Sequence, residues 1–197
     1  MIDIFMLSNV DWDLKPNTKH SLEKFANDDR LILHIDANWE PYHSDNKPKC
    51  DIIRIPTMLK KCDSESIYIL DDDDALMRNL EEVPKDYDGV IYDAQWGKER
   101  LTGFNFNRPG VAFGYARCIL KREWVKQTHQ IALDAGIKCM FDVFVFYNLA
   151  INGRCLVKEE LLCDIDITPR TMNGNNYRSL YQKELKIMRD YFDLPNR

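Results

Sequence analysis

Four consecutive aspartates, Asp71 to Asp74, follow directly on the apolar run Ile67-Tyr68-Ile69-Leu70. No other stretch constrains the fold as tightly. An apolar run without polar alternation predicts a strand buried on both faces, as in a sheet covered by helices. Four like charges held at the end of that strand repel one another. They cost stability unless a cation, a helix N-terminus or full solvation offsets the repulsion. A strand that ends this way sets carboxylates on the rim of a sheet, where they can hold a divalent cation.

The rest of the chain supplies elements for such a sheet. Residues 2–8 are a first apolar run, a polar stretch with Pro16 follows, and residues 18–27 read as a helix. Residues 30–36 are a second strand candidate, which also ends on an aspartate, Asp36. Residues 38–49 are polar and carry Pro41 and Pro48, so they read as a loop. A short strand is expected over 51–55 and a short helix over 56–62, with Pro56 in its first turn. Past the aspartates, 76–80 reads as one or two helical turns and 87–93 as a strand, while the glycines and phenylalanines of 101–115 mix strands and tight turns. Residues 118–135 place Leu120, Trp124, Ile131, Ala132 and Ala135 near one helical face, with Gly136 as the stop. Residues 141–151 are apolar almost throughout and fit a buried helix ended by Asn152-Gly153. Residues 154–167 supply one or two strands, and 177–192 form a final amphipathic helix.

Early alternation of strands with helices and a mixed second half give an α/β fold with a mixed, largely parallel central sheet flanked by helices. With 197 residues, 45% of them hydrophobic, the chain has enough for one sizeable core, so a single domain is expected. Ligands of such sheets bind outside the carboxyl ends of the strands, the position of both Asp36 and Asp71.

Bulk properties narrow the class of partner. A net charge of -5 and a pI near 5.4 argue against a general nucleic-acid coat, which needs a basic footprint. The charge is uneven: residues 170–197 carry +3 and the part before them -8, so a phosphate-bearing ligand can be met by the tail and a metal by the acidic part. The six cysteines show no C-x-x-C pair and several sit in apolar stretches, the pattern of reduced thiols in a cytoplasmic protein. The N-terminal apolar run is interrupted by Asp3 and is too short for a signal peptide, and no segment approaches the roughly 20 apolar residues of a membrane span.

A D-x-D pattern by itself carries little here, since it recurs at Asp11/Asp13, Asp86/Asp88 and Asp164/Asp166. The buried strand in front of Asp71 to Asp74 sets that run apart. Two readings of it stand side by side: a metal site that bridges diphosphate oxygens, or an acidic cap on the helical turns that follow. A calcium-binding helix-loop-helix is excluded, because the required glycine and ligand spacing are missing.

The segment from Ile67 to Leu76 resembles the D-x-D region of GT-A glycosyltransferases, in which a strand ends in an acid and a further acid contacts the metal. The likeness reaches from about residue 2 to 151 in the order of elements, with residues 1–100 as the nucleotide-binding half and 101–197 as the donor-sugar and acceptor half. It implies Asp71 and Asp73 as ligands of Mn2+ or Mg2+, with Asp72 as a ribose contact and Asp74 as the weaker candidate. It further implies that Leu7, Ser8 and Asn9 lie beside the base, that Asp36 bonds base or ribose, and that Arg54 meets a phosphate or the base. Asn107-Arg108-Pro109-Gly110-Val111-Ala112 is similar to the segment that approaches the donor sugar, which brings in Gly110. The bland readings are a turn-forming Asp36 and solvated Lys60 and Lys61.

A transfer of this kind that inverts the anomeric carbon needs a carboxylate to take the acceptor's proton. Asp142 stands alone among Met140, Phe141, Val143, Phe144, Val145 and Phe146, and apolar surroundings raise a carboxylate's proton affinity. In the resembling family an acid at the start of the helix after the donor-sugar segment has this role; a plain N-cap for the same helix is the alternative. Late histidines, which often complete the family's metal site, are missing after His129, so Asp164, Asp166 or an asparagine among Asn173, Asn175 and Asn176 would have to stand in. His20, His34, His43 and His129 lack ligand spacing and read as structural or exposed.

The expected function is metal-dependent transfer of a sugar from a nucleotide-sugar donor, a UDP-sugar first, to an acceptor hydroxyl. Glycans, protein side chains, lipid-linked sugars and hydroxylated DNA all fit as acceptors. Two alternatives remain: a metal-dependent phosphoryl or nucleotidyl transferase, which lacks the expected Gly-rich phosphate loop, and a non-catalytic calcium-binding or interaction module.

Overall fold

The computed structural model describes residues 1–7, 20, 23, 28–36, 52, 55–71, 74–103, 114–165 and 175–194. Strand β1 (Ile2–Leu7) lies between two parallel partners, β2 (Leu31–Asp36) and β3 (Ser66–Asp71). Helix α1 (Ile55–Lys61) leads into β3, and a two-residue strand, β4 (Ala75–Leu76), comes after it. Then follow β5 (Gly89–Trp96), β6 (Glu99–Leu101), the single-turn helix α2 (Gly114–Arg117) and β7 (Cys118–Lys121). Helix α3 (Arg122–Asp134), helix α4 (Phe141–Asn152), strand β8 (Cys155–Ile165) and helix α5 (Asn175–Phe192) complete the order.

Among the described residues all eight strands join one mixed sheet in the order β2-β1-β3-β7-β5-β8-β4, with β6 paired to β5. Strand β7 is antiparallel to both β3 and β5, while β8 runs parallel to β5. The early strand-helix alternation is thus a parallel block, and β7 is the switch that turns it into a mixed sheet.

Side-chain alternation explains why the strands read as unbroken apolar runs. Ile67 and Ile69 point with Phe5, Cys118 and Leu120 into a core shared with α1, α3, α4 and α5. Tyr68 and Leu70 point with Ile4, Met6, Val90 and Tyr92 to the opposite face, where Leu76, Leu80 and Val83 cover them. On the helical face Phe144 of α4 meets Phe192 of α5 with ring centroids 4.9 Å apart, and Asn148 donates to Thr128 Oγ1 of α3 at 2.8 Å.

Three expected elements fold differently. Residues 76–80 form no helical turn: β4 pairs antiparallel with Asp164 and Cys163, and the chain after it is irregular, with Leu76, Leu80 and Val83 packed against the sheet. Residues 118–121 are strand rather than the start of a long helix, because Cys118, Ile119 and Leu120 fill the slot between β3 and β5. The strand expected over 51–55 is also absent among its described residues: Ile52 lies in a 3-10 turn and Ile55 opens α1. Of the helix expected over 18–27 only His20 and Glu23 are described, and both are helical.

The acid that interrupts the first apolar run has a structural task. Asp3 is buried and accepts the backbone N–H groups of Ser64 at 2.7 Å and Asp63 at 3.0 Å, tying the approach to β3 onto β1. Asp3→Ala leaves the buried Ser64 donor unpaired, which costs about 1–3 kcal/mol. A thermal melt should show the midpoint lowered by several degrees; an unchanged midpoint would contradict this assignment.

Candidate functional site

The three parallel strands end level with one another. In register, Leu7 lies opposite Asp36 of β2 on one side and Asp71 of β3 on the other. The carboxyl rim of the sheet therefore carries two acidic positions on either side of β1, where a ligand of an α/β sheet is expected. Asp71 is half-buried, and the N–H of Asp74 returns to its carbonyl at 3.2 Å. Asp74 itself is buried, and its charge, together with burial as the larger cause, raises the proton affinity of Tyr68 and Cys163.

No helix begins after Asp74, since Ala75 and Leu76 are strand. The reading of the aspartates as a cap on following helical turns is thereby overturned. Capture of 75–76 by β8 leaves no helix N-terminus for those charges to stabilise.

The second half of the chain brings Asp142 within electrostatic reach of this rim. It sits in the first turn of α4 and is half-buried, and its carboxyl is pushed up to about 7. Burial is the largest cause, repulsion from Asp71 and Glu184 adds to it, and the backbone N–H groups of Val143 and of Asp142 itself oppose it. The carboxylate that ends β3 and the one that opens α4 are thus within electrostatic reach of each other, although 71 positions separate them in the chain. The N-cap residue of α4 is Met140, which makes no side-chain cap, so Asp142 is a first-turn acid rather than the cap itself.

Three residues that hold this arrangement escaped the sequence reading. Gly114 of α2 packs directly on α4: a Cβ there would lie 1.9 Å from the Asp142 carbonyl oxygen. Glu184 of α5 is buried and receives the backbone N–H groups of Lys138, Cys139 and Met140. Tyr181, one turn earlier on α5, has its phenol pushed up to about 12, by burial first and then by the charge of Asp142. One signal was available for Glu184. It falls on the same helical stripe as Tyr181, Leu185, Met188 and Phe192, where an acid is out of place on a buried face.

The other candidates separate clearly. Leu7 and Asp36 stand at the rim through their backbone positions. Ser8, Asn9, Arg54, Asp72, Asp73, Gly110, Asp166 and Asn173 lie outside the described residues, while Asn175 and Asn176 open α5. Asp88 belongs elsewhere: it is ion-paired with Arg154 at 2.8 Å, which lowers its proton affinity. His129 is structural, with Nε2 2.8 Å from the carbonyl of Ile52. Lys60 and Lys61 are exposed at the end of α1.

Among the described residues no group of three or more His, Cys, Asp or Glu side chains is placed to hold a metal ion. What the described rim offers is Asp71, a hard oxygen donor of the kind magnesium and manganese take. The thiols divide. Cys62, Cys118, Cys155 and Cys163 are free, and burial pushes Cys62 and Cys118 up to about 12, as small hydrophobes behave. Cys139 departs from the expectation of reduced thiols, because it is disulfide-bonded. That bond removes the cysteine argument for a cytoplasmic protein. No helix among the described residues is long and apolar enough to cross a membrane.

No protein-family model matches this sequence, and no curated protein matches it either. Solved structures do. TarS of S. aureus, residues 1–349, aligns with a TM-score of 0.52 at 9% identity, covering 96% of this chain and 65% of that one. A longer TarS structure aligns with a TM-score of 0.54 at 11% identity over 100% of this chain and 40% of that one, so the chain spans under two thirds of either. A glycosyltransferase involved in the glycosylation of the major capsid of PBCV-1 aligns with a TM-score of 0.52 at 10% identity, covering 91% of this chain and 98% of that one. The fold is that of glycosyltransferases, a mixed α/β sheet flanked by helices.

Proposed function

We propose that this protein is a metal-dependent glycosyltransferase that moves a sugar from a nucleoside diphosphate sugar, a UDP-sugar first, to an acceptor hydroxyl, with Asp142 as the base. The observation that carries the reading is that Asp71, at the end of β3, lies within electrostatic reach of Asp142 in the first turn of α4. A fold shared with TarS and with the PBCV-1 capsid glycosyltransferase supports the reaction class.

Asp71, with Asp73 beside it in sequence, would hold Mn2+ or Mg2+, whose charge would stabilise the departing diphosphate. The carboxylate of Asp142 accepts the proton of the acceptor hydroxyl as the hydroxyl oxygen bonds to the anomeric carbon. The bond from that carbon to the diphosphate breaks, and the nucleoside diphosphate leaves with its electron pair. A carboxyl poised at about 7 suits the task, being largely ionised just above neutrality yet far more basic than an exposed aspartate. Leu7, Ser8, Asn9, Asp36, Arg54 and Asp72 would line the nucleotide side, and Gly110 the sugar side.

The test is thermal stabilisation by UDP with and without manganese, alongside a donor screen read by released nucleoside diphosphate. Manganese-dependent stabilisation by UDP is expected, and Asp73→Ala should abolish it. Full activity in Asp73→Ala would sink the metal assignment. Stabilisation by calcium alone, with no response to any nucleotide, would point instead to a non-catalytic module.

A further inference from the structure

A buried carboxylate on α5 controls how α4 begins. Glu184 is 1% exposed, and both its oxygens accept backbone N–H groups. Oε1 accepts from Lys138 at 3.1 Å and from Cys139 at 3.2 Å, while Oε2 accepts from Cys139 at 2.9 Å and from Met140 at 2.9 Å. These donors lie on the three residues immediately before Phe141, where α4 starts, and Asp142 follows one residue later. Met140 supplies no cap of its own, so the entry to α4 is held from a helix more than forty positions away in sequence.

We propose that Glu184 is a positioning residue for sugar transfer: by gathering the backbone N–H groups that lead into α4, it fixes where the Asp142 carboxyl stands, which makes α5 part of the catalytic unit. The inference rests on the reading of Asp142 as the base. Three features favour it over a purely structural cap. First, the clamp acts on the segment directly in front of Asp142 and nowhere else along α4. Second, it places a second acid near Asp142, an arrangement that like-charge repulsion disfavours unless position is what matters. Third, Tyr181 stands one turn away on the same helix and feels the charge of Asp142, so α5 faces the site with two side chains. Among the described residues, the ionisable groups coupled to Asp142 by charge are Asp71 from β3 and Tyr181 and Glu184 from α5.

Displacement of a reacting group by about 1 Å costs on the order of a hundredfold in rate without weakening substrate binding. Glu184→Gln keeps the volume but turns one acceptor into a donor that faces backbone N–H groups. The experiment uses four full-length proteins: native, Glu184→Gln, Asp142→Asn and the double variant. Each is assayed with UDP-glucose and with UDP-N-acetylglucosamine for UDP released to water or acceptor. Glu184→Gln should remain folded, keep the donor KM within about twofold and lose at least about tenfold in kcat. In the Asp142→Asn background the same change should cost under about twofold, because both residues act through one carboxyl.

A native kcat in folded Glu184→Gln, or an equal loss in both backgrounds, overturns the inference and leaves the function intact. A fully active Asp142→Asn, or no turnover of either donor by the native protein, overturns the function reading and the inference with it. Should Glu184→Gln not fold, Glu184→Asp, which keeps both oxygens on a shorter reach, replaces it with the same expected kcat loss. Failure of both to fold marks Glu184 as a stability element and overturns the proposal.

Discussion

Asp142→Asn should lower sugar transfer by about 10³-fold while making the protein more resistant to heat at pH 8. The two effects have one cause. The fold holds this carboxyl at about 7 against an ordinary 3.8, chiefly through burial, with Asp71 and Glu184 adding repulsion. A carboxyl raised in the folded state contributes its full stability below the unfolded value, near pH 4. It loses that contribution as pH rises through about 7, where the native state must carry a charge it disfavours. The cost above pH 7 is a few kcal/mol at most, since half-burial leaves some solvent to screen the charge. Asparagine has the same shape and no charge, so it removes both the cost and the base. Melts at pH 5, 6, 7 and 8 in EDTA, which keeps divalent cations from offsetting the charges, should show the gap between variant and native widening with pH. A constant gap would mean that Asp142 is not held near neutrality. Transfer by the native protein should rise with pH through the same region, as the carboxyl ionises.

Gly114→Ala is the second large effect, and it acts through geometry alone. The added methyl would lie 1.9 Å from the Asp142 carbonyl oxygen and 2.8 Å from its carbonyl carbon, and both of those atoms are backbone. Nothing flexible can yield, so α2 and α4 must move apart. Overpacking of well-fitted interiors typically costs 1–3 kcal/mol, and a clash between two backbones belongs at the upper end, about 3 kcal/mol. For a chain of this size that lowers the melting temperature by roughly 6–12 °C. Because the clash falls on Asp142, transfer should drop by more than the loss of folded protein explains. A normal midpoint with normal activity would show that the two helices are not in this contact.

The fold was largely legible where local rules act alone. The strands ending at Leu7, Asp36 and Asp71 are apolar runs bounded by polar residues, and α4 is an apolar stretch too long for a strand. Errors arose where a distant partner outvoted local preference. Ala75 and Leu76 were captured by β8, more than eighty positions later, and Cys118 to Lys121 by β3 and β5 together. Pairing on both sides satisfies more backbone groups than one extra helical turn can, and no local pattern announces it.

The candidate site divides along the same line. Its acids were visible one at a time, Asp71 as a charge behind a buried strand and Asp142 as a charge inside an apolar helix. Chain chemistry alone therefore determined which residues are costly to fold and so worth asking about. Only the tertiary structure decided that Asp71 and Asp142 come within electrostatic reach of each other, that Gly114 makes room for α4, and that Glu184 holds the entry to α4 from a helix more than forty positions later. The physical reason is one of range. Burial preference and periodicity are local properties of sequence, whereas a pKa shift, a backbone contact and a shared hydrogen bond depend on which distant segments the sheet brings together.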